Sequence, residues 1–273
     1  MARLPHKLEL YQHAVQHPAA EVGFLLRAYQ HYRRGFPTKL KEDFAGGAAV
    51  ARAFVAMDEN HRALAVDAHA PTARWAMGCA RRELGERTID LHVLCADVLD
   101  VASPKVDVIA ALNFSTFIYH DRASLRRYFH HARRSLAVGG VLVIDAFGGP
   151  GAMTPGVQKR RVKAAPAARA SQIVPAFDYL WEQRSYDAVT ARIDCRIHFA
   201  FGDGRLVENA FRYDWRLWTL PELVELMREA GFTKAEVWCD QFDEQTGQSD
   251  GRYQPRGSIA SREDWVAYVV GVK

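Results

Sequence analysis

One stretch limits what this chain can fold into more than any other: Thr38 to His69, TKLKEDFAGGAAVARAFVAMDENHRALAVDAH. A short strand, a tight Gly46-Gly47 turn, an Ala-rich helix and a second strand ending on Asp67 follow one another. This is a βαβ unit, and its turn falls at the carboxyl end of the first strand, where open α/β sheets bind ligands. Asp67 lies 21 positions beyond Gly46, close to the ~20-residue spacing at which a carboxylate reaches ribose hydroxyls. The pattern predicts a nucleoside-bearing ligand without saying which.

The alternation continues beyond this unit. Strand signals at 38–43, 62–67, 90–95, 106–112 and 141–147 alternate with helix signals at 48–57, 71–84 and 121–136. Repeated βα units predict a parallel, doubly wound sheet with helices on both faces. Ahead of them, residues 7–33 carry apolar positions at helical spacing, divided by Pro18, so two short helices are expected in a cap spanning 1–36. Residues 148–176 are rich in Gly, Pro and Ala and hold the basic run KRRVK (159–163). They read as a loop, with the charges on a solvated face. Three period-two segments follow, 177–187, 190–201 and 205–218, joined by turns at Asp187-Ala188 and Gly202-Asp203-Gly204. Such turns predict an antiparallel meander, so 148–218 is expected to be an inserted loop and lid. A helix at 220–232, strands at 234–239 and 265–272, and a polar loop at 243–262 close the chain. The expected architecture is one α/β domain over 1–273: a Rossmann-like, doubly wound, mostly parallel seven-stranded sheet whose last strand is inserted antiparallel, plus the antiparallel β lid and the N-terminal helical cap.

With 273 residues, 49% of them hydrophobic and 25% charged, the chain has the composition of a globular protein with room for a sizeable core. Its net charge of +4 comes without a concentrated basic stripe or a nucleic-acid motif, so no nucleic-acid partner is expected. Four widely spaced cysteines with no C-x-x-C pair imply no disulfide framework. Cys95, in the apolar run LHVLC, is expected to be a small buried hydrophobe. No apolar run approaches the ~18 residues that span a bilayer; a cytoplasmic location without membrane attachment is expected. A homodimer is left open.

Further residues at the same sheet edge narrow the ligand. Asp97 ends strand three in LCADV, where it can accept from an adenine amino group while Val98 offers backbone contacts; Asn113-Phe114-Ser115 ends strand four. LKEDFAGGAAVARAF, ALAVDAH, LCADVLD, AALNFSTF and LRRYFHHARRSLAVGGVLVIDAF resemble the first to fifth motifs of the class I S-adenosylmethionine-dependent methyltransferases, over about 38–147 and 218–272. More narrowly, EDFxG, NFS and FRYDWRLWTLPEL resemble a bacterial branch of that family. The resemblance implies S-adenosylmethionine as cofactor. It puts Glu42 and Asp43 near the methionine amino group, and the backbone of Phe44, Ala45 and Gly46 around the carboxylpropyl and ribose portion. Asp67, with Ala68 beside it, would hold the ribose diol, Asp97 and Val98 the adenine, and Asn113 and Phe114 the methionyl end. The acids also have local alternatives: Glu42, Asp43 or Asp67 as helix caps, Asp97 as a turn residue. Phe44 and Ala48 stand where most members have glycine, so the loop is expected to follow a different path.

Acceptor specificity is expected in the meander and its flanks. Phe177, Tyr179, Trp181 and Gln183 share one face of their segment, and Phe211, Tyr213 and Trp215 share one face of theirs. Such a layer gives a mostly apolar pocket with few polar fixings; the alternative is that the rings only pack on the core. Trp181, Gln183, Tyr213, Trp215 and Tyr119 are the candidate acceptor contacts. His120 and His198 join Tyr119 as candidate polar groups, and no catalytic residue is assigned. The chain has no N-P-P-[YFW] tetrad, no Pro-Cys pair and no H-x-x-x-H pattern, so no catalytic metal is expected. The expected reaction is methyl transfer to an O, N or S atom of a small molecule. The alternatives are an RNA or protein methyltransferase using 159–163, and a non-catalytic regulator that binds S-adenosylmethionine.

Overall fold

The computed structural model describes residues 4–166, 173–240, 242–243, 248–249, 251–259 and 262–273. Helices α1 (Lys7–Val15) and α2 (Pro18–Tyr32) come first, with Pro18 opening α2 where no intrahelical N–H is lost. Then β1 (Lys39–Asp43), α3 (Ala49–Met57), β2 (Arg62–Val66), α4 (Ala70–Leu84), β3 (Leu91–Leu94) and β4 (Val106–Ala111) alternate as the spacing predicts. Helix α5 (Arg122–Ser135) is capped by Asp121 and leads directly into β5 (Leu136–Gly148). β6 (Gly156–Val162), β7 (Phe177–Asp187), β8 (Arg192–Phe201) and β9 (Leu206–Arg216) follow. After them come α6 (Leu220–Glu229), started by a Thr219/Glu222 capping box, then β10 (Lys234–Cys239) and β11 (Trp265–Val272).

The main sheet runs β10-β11-β5-β4-β1-β2-β3, with Gln254–Pro255 added outside β10 as a short eighth member. β1 is parallel to β2 and β4, whereas β11 is antiparallel to β5, pairing Trp265 with Gly148 through Val272 with Val141. Sheets of this kind are covered on both faces. Here α2, α3 and α4 pack on one side and α5 and α6 on the other, each over its own apolar cluster. The second sheet, β9-β8-β7-β6, is antiparallel and lies against α1, with Leu10 and Ala14 packed among Phe177, Ile197 and Phe199.

Three expectations change. The KRRVK run belongs to edge strand β6, which pairs Gly156 with Gln183 through Val162 with Phe177, not to a loop. Its hydrogen-bonding partner β7 lies downstream, so its own sequence could not reveal the pairing; residues 167–172 of the expected loop lie outside the described residues. Within the expected polar loop, where 244–247, 250 and 260–261 also lie outside the described residues, Phe242–Asp243 pairs with Gln248–Ser249. Cys95 is exposed, since it follows β3 at the open edge of the main sheet. No helix among the described residues is long and apolar enough to cross a membrane.

Strand β1 is central, yet Lys41, Glu42 and Asp43 in it are all buried. Strand alternation sends Lys41 and Asp43 to the α5 face and Glu42 to the α3 face. Lys41 Nζ lies 2.9 Å from Asp43 Oδ1 and donates to the Val101 carbonyl at 2.8 Å; the Tyr128 hydroxyl donates to Asp43 Oδ2 at 3.1 Å. Removing one member of such a pair leaves an uncompensated buried charge. Asp43→Asn and Lys41→Met should therefore each lower the unfolding free energy by about 3 kcal/mol, and the apolar double change Lys41→Met/Asp43→Leu should cost less than either. Urea unfolding of the three variants checks this.

Candidate functional site

The turn after β1 is built from left-handed backbone. Phe44, Gly46 and Ala48 have φ of 55°, 51° and 53°, and a non-glycine residue in this region costs roughly 1–2 kcal/mol. Phe44 therefore keeps the left-handed backbone that glycine favours, and its ring is held between Tyr128 (5.5 Å) and Tyr119 (6.2 Å). At Gly47 the constraint is contact: a Cβ there would lie 2.7 Å from the Trp75 ring. Ala45 N–H donates to the Val66 carbonyl at 2.9 Å, and Gly46 N–H to Asp67 Oδ2 at 2.9 Å.

The five acidic candidates divide into an interior and an edge group once Asp145, unassigned from sequence, is added. Glu42 faces inward and accepts from Ala51 N–H at 2.7 Å, which makes it an interior staple for the first turn of α3. Burial pushes its carboxyl up to about 8, against the opposing effect of that bond. Asp43 faces the other way, in the ion pair with Lys41. Asp67 is half-buried at the end of β2; besides Gly46 it accepts from His69 N–H at 2.9 Å. Ala68 beside it is exposed. Asp97, exposed at the end of β3, accepts from Leu99 N–H at 2.8 Å, while Val98 is buried beneath it.

At the end of β4, Asn113 and Phe114 are consecutive left-handed residues, with φ of 60° and 59°. Their N–H groups donate to the two oxygens of Asp145, at 2.8 Å and 2.7 Å. Asp145 lies on β5 and is buried; burial lifts its carboxyl to about 7 while the two bonds oppose the rise. Its place in VLVIDAF, at the carboxyl end of a strand, was the available signal. Strained backbone held by surrounding structure clusters at functional sites.

Beside this corner lies a cavity of about 320 Å³. Asn113, Phe114 and Asp145 form its floor, Trp181, Tyr213 and Trp215 of the second sheet one wall, and Tyr11, Glu21 and Phe24 of the helical cap another. Tyr253 and Tyr268 complete the ring of aromatics. Tyr213 and Trp215 stack at 4.2 Å, and Trp181 lies 5.9 Å from Trp215. Trp215 does both things the sequence left open, since it is 4% exposed in the core and also lines the cavity. Glu21 Oε1 accepts from His17 N–H at 3.1 Å, whereas the buried Oε2 has no partner among the described residues.

Other candidates stand elsewhere. Gln183 is buried and donates to the Ala152 carbonyl at 2.8 Å, tying β7 to the turn after β5 instead of lining the cavity. Tyr119 packs on Phe44 and Tyr128 beside the turn after β1 and does not line the cavity. His120 contacts the Asp214 carbonyl at 2.8 Å, and His198 contacts Glu182 at 3.1 Å. His198 follows the cavity-lining Ile197, so alternation along β8 turns it to the opposite face.

Glu42 generates a pH prediction. Its folded-state carboxyl holds a proton that an unfolded glutamate releases near 4.5, so its contribution to stability is full below that range and lost as pH rises through about 8. Wild-type stability should fall between about pH 5 and pH 8.5 by on the order of 4 kcal/mol more than that of Glu42→Gln, whose amide keeps the acceptor without the charge. Urea unfolding of both proteins at the two pH values reads the difference.

No protein-family model and no curated protein sequence matches the chain. Solved structures match over nearly its whole length. DesVI from Streptomyces venezuelae aligns with a TM-score of 0.69 at 14% identity, covering 99% of each chain. CalS10, an amino pentose methyltransferase from Micromonospora echinaspora solved with S-adenosylmethionine bound, aligns at 0.65 and 14% identity, covering 100% of this chain and 98% of its own. The sugar N-methyltransferase KedS8 from Streptoalloteichus aligns at 0.60 and 21% identity, with 100% and 94% covered. With this strand order and these structural relatives, the chain has the fold of the class I S-adenosylmethionine-dependent methyltransferases.

Proposed function

We propose that this protein is a methyltransferase that takes the methyl group of S-adenosylmethionine and delivers it to an O, N or S atom of a small molecule. The observation that carries the reading is the adjacency of two features across one corner. The Asp67-tied turn lies at the end of β1, and the aromatic cavity opens at the end of the neighbouring β4, with Asn113 and Phe114 in its floor.

The residues present fit the cofactor. A carboxylate offers about four acceptor positions, and Asp67 uses two, on Gly46 and His69, which leaves capacity for ribose hydroxyls. A Cβ built on Gly46 would meet nothing within 4 Å, so the space beside the turn is open. Asp97 has capacity for the adenine amino group beyond its bond to Leu99. Asn113 and Phe114 would stand at the methionyl end. Glu42 and Asp43 act from the interior, holding α3 and α5 so that the turn keeps its shape.

When bound, S-adenosylmethionine supplies a methyl already activated by the sulfonium. What the protein adds is alignment, which is worth several kcal/mol when reactants are held in attacking geometry. Trp181, Tyr213 and Trp215 would press the acceptor towards the Asn113–Phe114 corner and exclude water. The RNA or protein reading relied on the basic run. On β6, however, Lys159 and Arg161 pair with Asp178 at 2.9 Å and 3.1 Å, and Arg160 lies over the Tyr179 ring and donates to the Ala14 carbonyl. Those charges hold the second sheet and α1 together, and the small-molecule reading is preferred.

Two measurements test the function. Calorimetry should find S-adenosylmethionine binding, weakened about tenfold or more by Asp67→Ala, since hydrogen bonds to a charged group contribute roughly 1.5–3 kcal/mol each; unchanged affinity would remove Asp67 from the ribose site. Incubation of a fractionated metabolite extract with labelled methyl donor should transfer label to a small molecule. Binding without any transfer, to metabolites, RNA or protein, would instead support the non-catalytic regulator.

A further inference from the structure

We propose that the molecule received by the aromatic cavity is an amine that arrives as a cation, with Glu21 and Asp145 as its anionic partners. This rests on the methyltransferase reading and narrows it to nitrogen as the acceptor atom.

The cavity separates its charges by depth. Both acids are covered: Asp145 is buried at the end of β5, and Glu21 is half-buried on α2. The basic groups that line the same space, Arg27 and His17, are exposed at its rim, and the Arg27 guanidinium lies over the Phe24 ring at 5.9 Å. The carboxyls therefore stand inside and the basic groups at the mouth, and a cationic guest would favour the ionised form of both acids.

Glu21 is also incomplete. One oxygen accepts from His17 N–H at 3.1 Å, and the other is buried with no partner among the described residues. A buried acceptor left without a partner is costly, and a bound ammonium would satisfy it. The oxygens of Asp145 each accept one N–H and have room for a further donor.

The walls suit the same guest. Tyr11, Phe24, Trp181, Tyr213, Trp215 and Tyr268 present their rings to one cavity. Aromatic faces attract cations, most strongly when water is excluded. A neutral alcohol would gain the apolar contact without the charge terms, and an anion would meet two carboxyls.

The acids also serve the transfer. An ammonium has no free electron pair and must first lose a proton. Glu21 takes that proton, and burial, which raises its carboxyl above the ordinary glutamate range, makes it a better acceptor for it. The freed nitrogen pair forms the new N–CH3 bond. The electrons of the broken S–CH3 bond stay on sulfur as a neutral thioether, and the positive charge passes to the methylated nitrogen.

Calorimetry with cyclohexylamine, cyclohexanol and cyclohexanecarboxylate, each with S-adenosylhomocysteine present, tests the proposal. Near neutral pH the amine should bind at least tenfold more tightly than the alcohol, and the carboxylate most weakly. Glu21→Gln should cut the amine's advantage over the alcohol at least threefold, the remainder coming from Asp145 and the rings, while leaving the thermal midpoint and the affinity for S-adenosylhomocysteine unchanged. Three results would overturn it: an amine that binds no better than cyclohexanol, a preference that Glu21→Gln leaves at its wild-type size, or a loss of S-adenosylhomocysteine affinity in that variant, which would assign Glu21 to the cofactor's own ammonium. Failure of the underlying methyltransferase reading would be seen separately, as no binding of S-adenosylmethionine to the wild-type protein.

Discussion

Three consecutive ionisable residues, Lys41, Glu42 and Asp43, lie buried in the central strand of the main sheet, and much of the architecture follows from satisfying them. Charges this deep are tolerated only when paired and hydrogen-bonded, and an unpaired carboxyl such as that of Glu42 keeps its proton instead. Lys41 and Asp43 pair on one face and draw in the Val101 carbonyl and the Tyr128 hydroxyl; Glu42 takes an N–H from the first turn of α3 on the other. One strand thereby fixes a helix on each side of the sheet. Between those fixed points runs the turn from Phe44 to Ala48.

Strain is concentrated at the same edge. Phe44, Ala48, Asn113 and Phe114 all hold left-handed backbone without being glycine. Asp145 holds the second pair through its two accepted bonds, and aromatic packing holds Phe44. A rigid, pre-shaped corner suits the proposed methyl transfer, to which alignment of the reactants contributes. The second sheet and the helical cap then close over the corner and leave a cavity whose walls come from segments far apart in the chain.

Much of the fold was legible because its signals are local. A period of two or of 3.6 in the apolar residues marks a strand or helix from its own sequence, and so β1 to β5, the meander and the final strands were placed within a few residues. The Asp67 position was legible for the same reason, since strand, turn and helix lengths fix its distance from Gly46. Edge strand β6 was not, because its basic sequence reads as solvated and only pairing with β7 makes it a strand. That Gln183 and Tyr119 stand outside the cavity lined by Trp181, Tyr213 and Trp215 was hidden for a related reason: alternation gives the face on which a side chain lies, but not what that face packs against.

By itself the sequence determined the order of the elements, the parallel sheet with its inserted antiparallel strand, and the row of residues at its carboxyl edge, because each depends on spacing along a continuous stretch. Only the tertiary structure decided what the cavity contains. Glu21 sits on an amphipathic helix and Asp145 at the end of a buried strand, and neither sequence neighbourhood marks them as partners. They face one space because α2 packs on the main sheet while α1 packs on the second, and that docking arises from contacts between distant segments that no local pattern encodes.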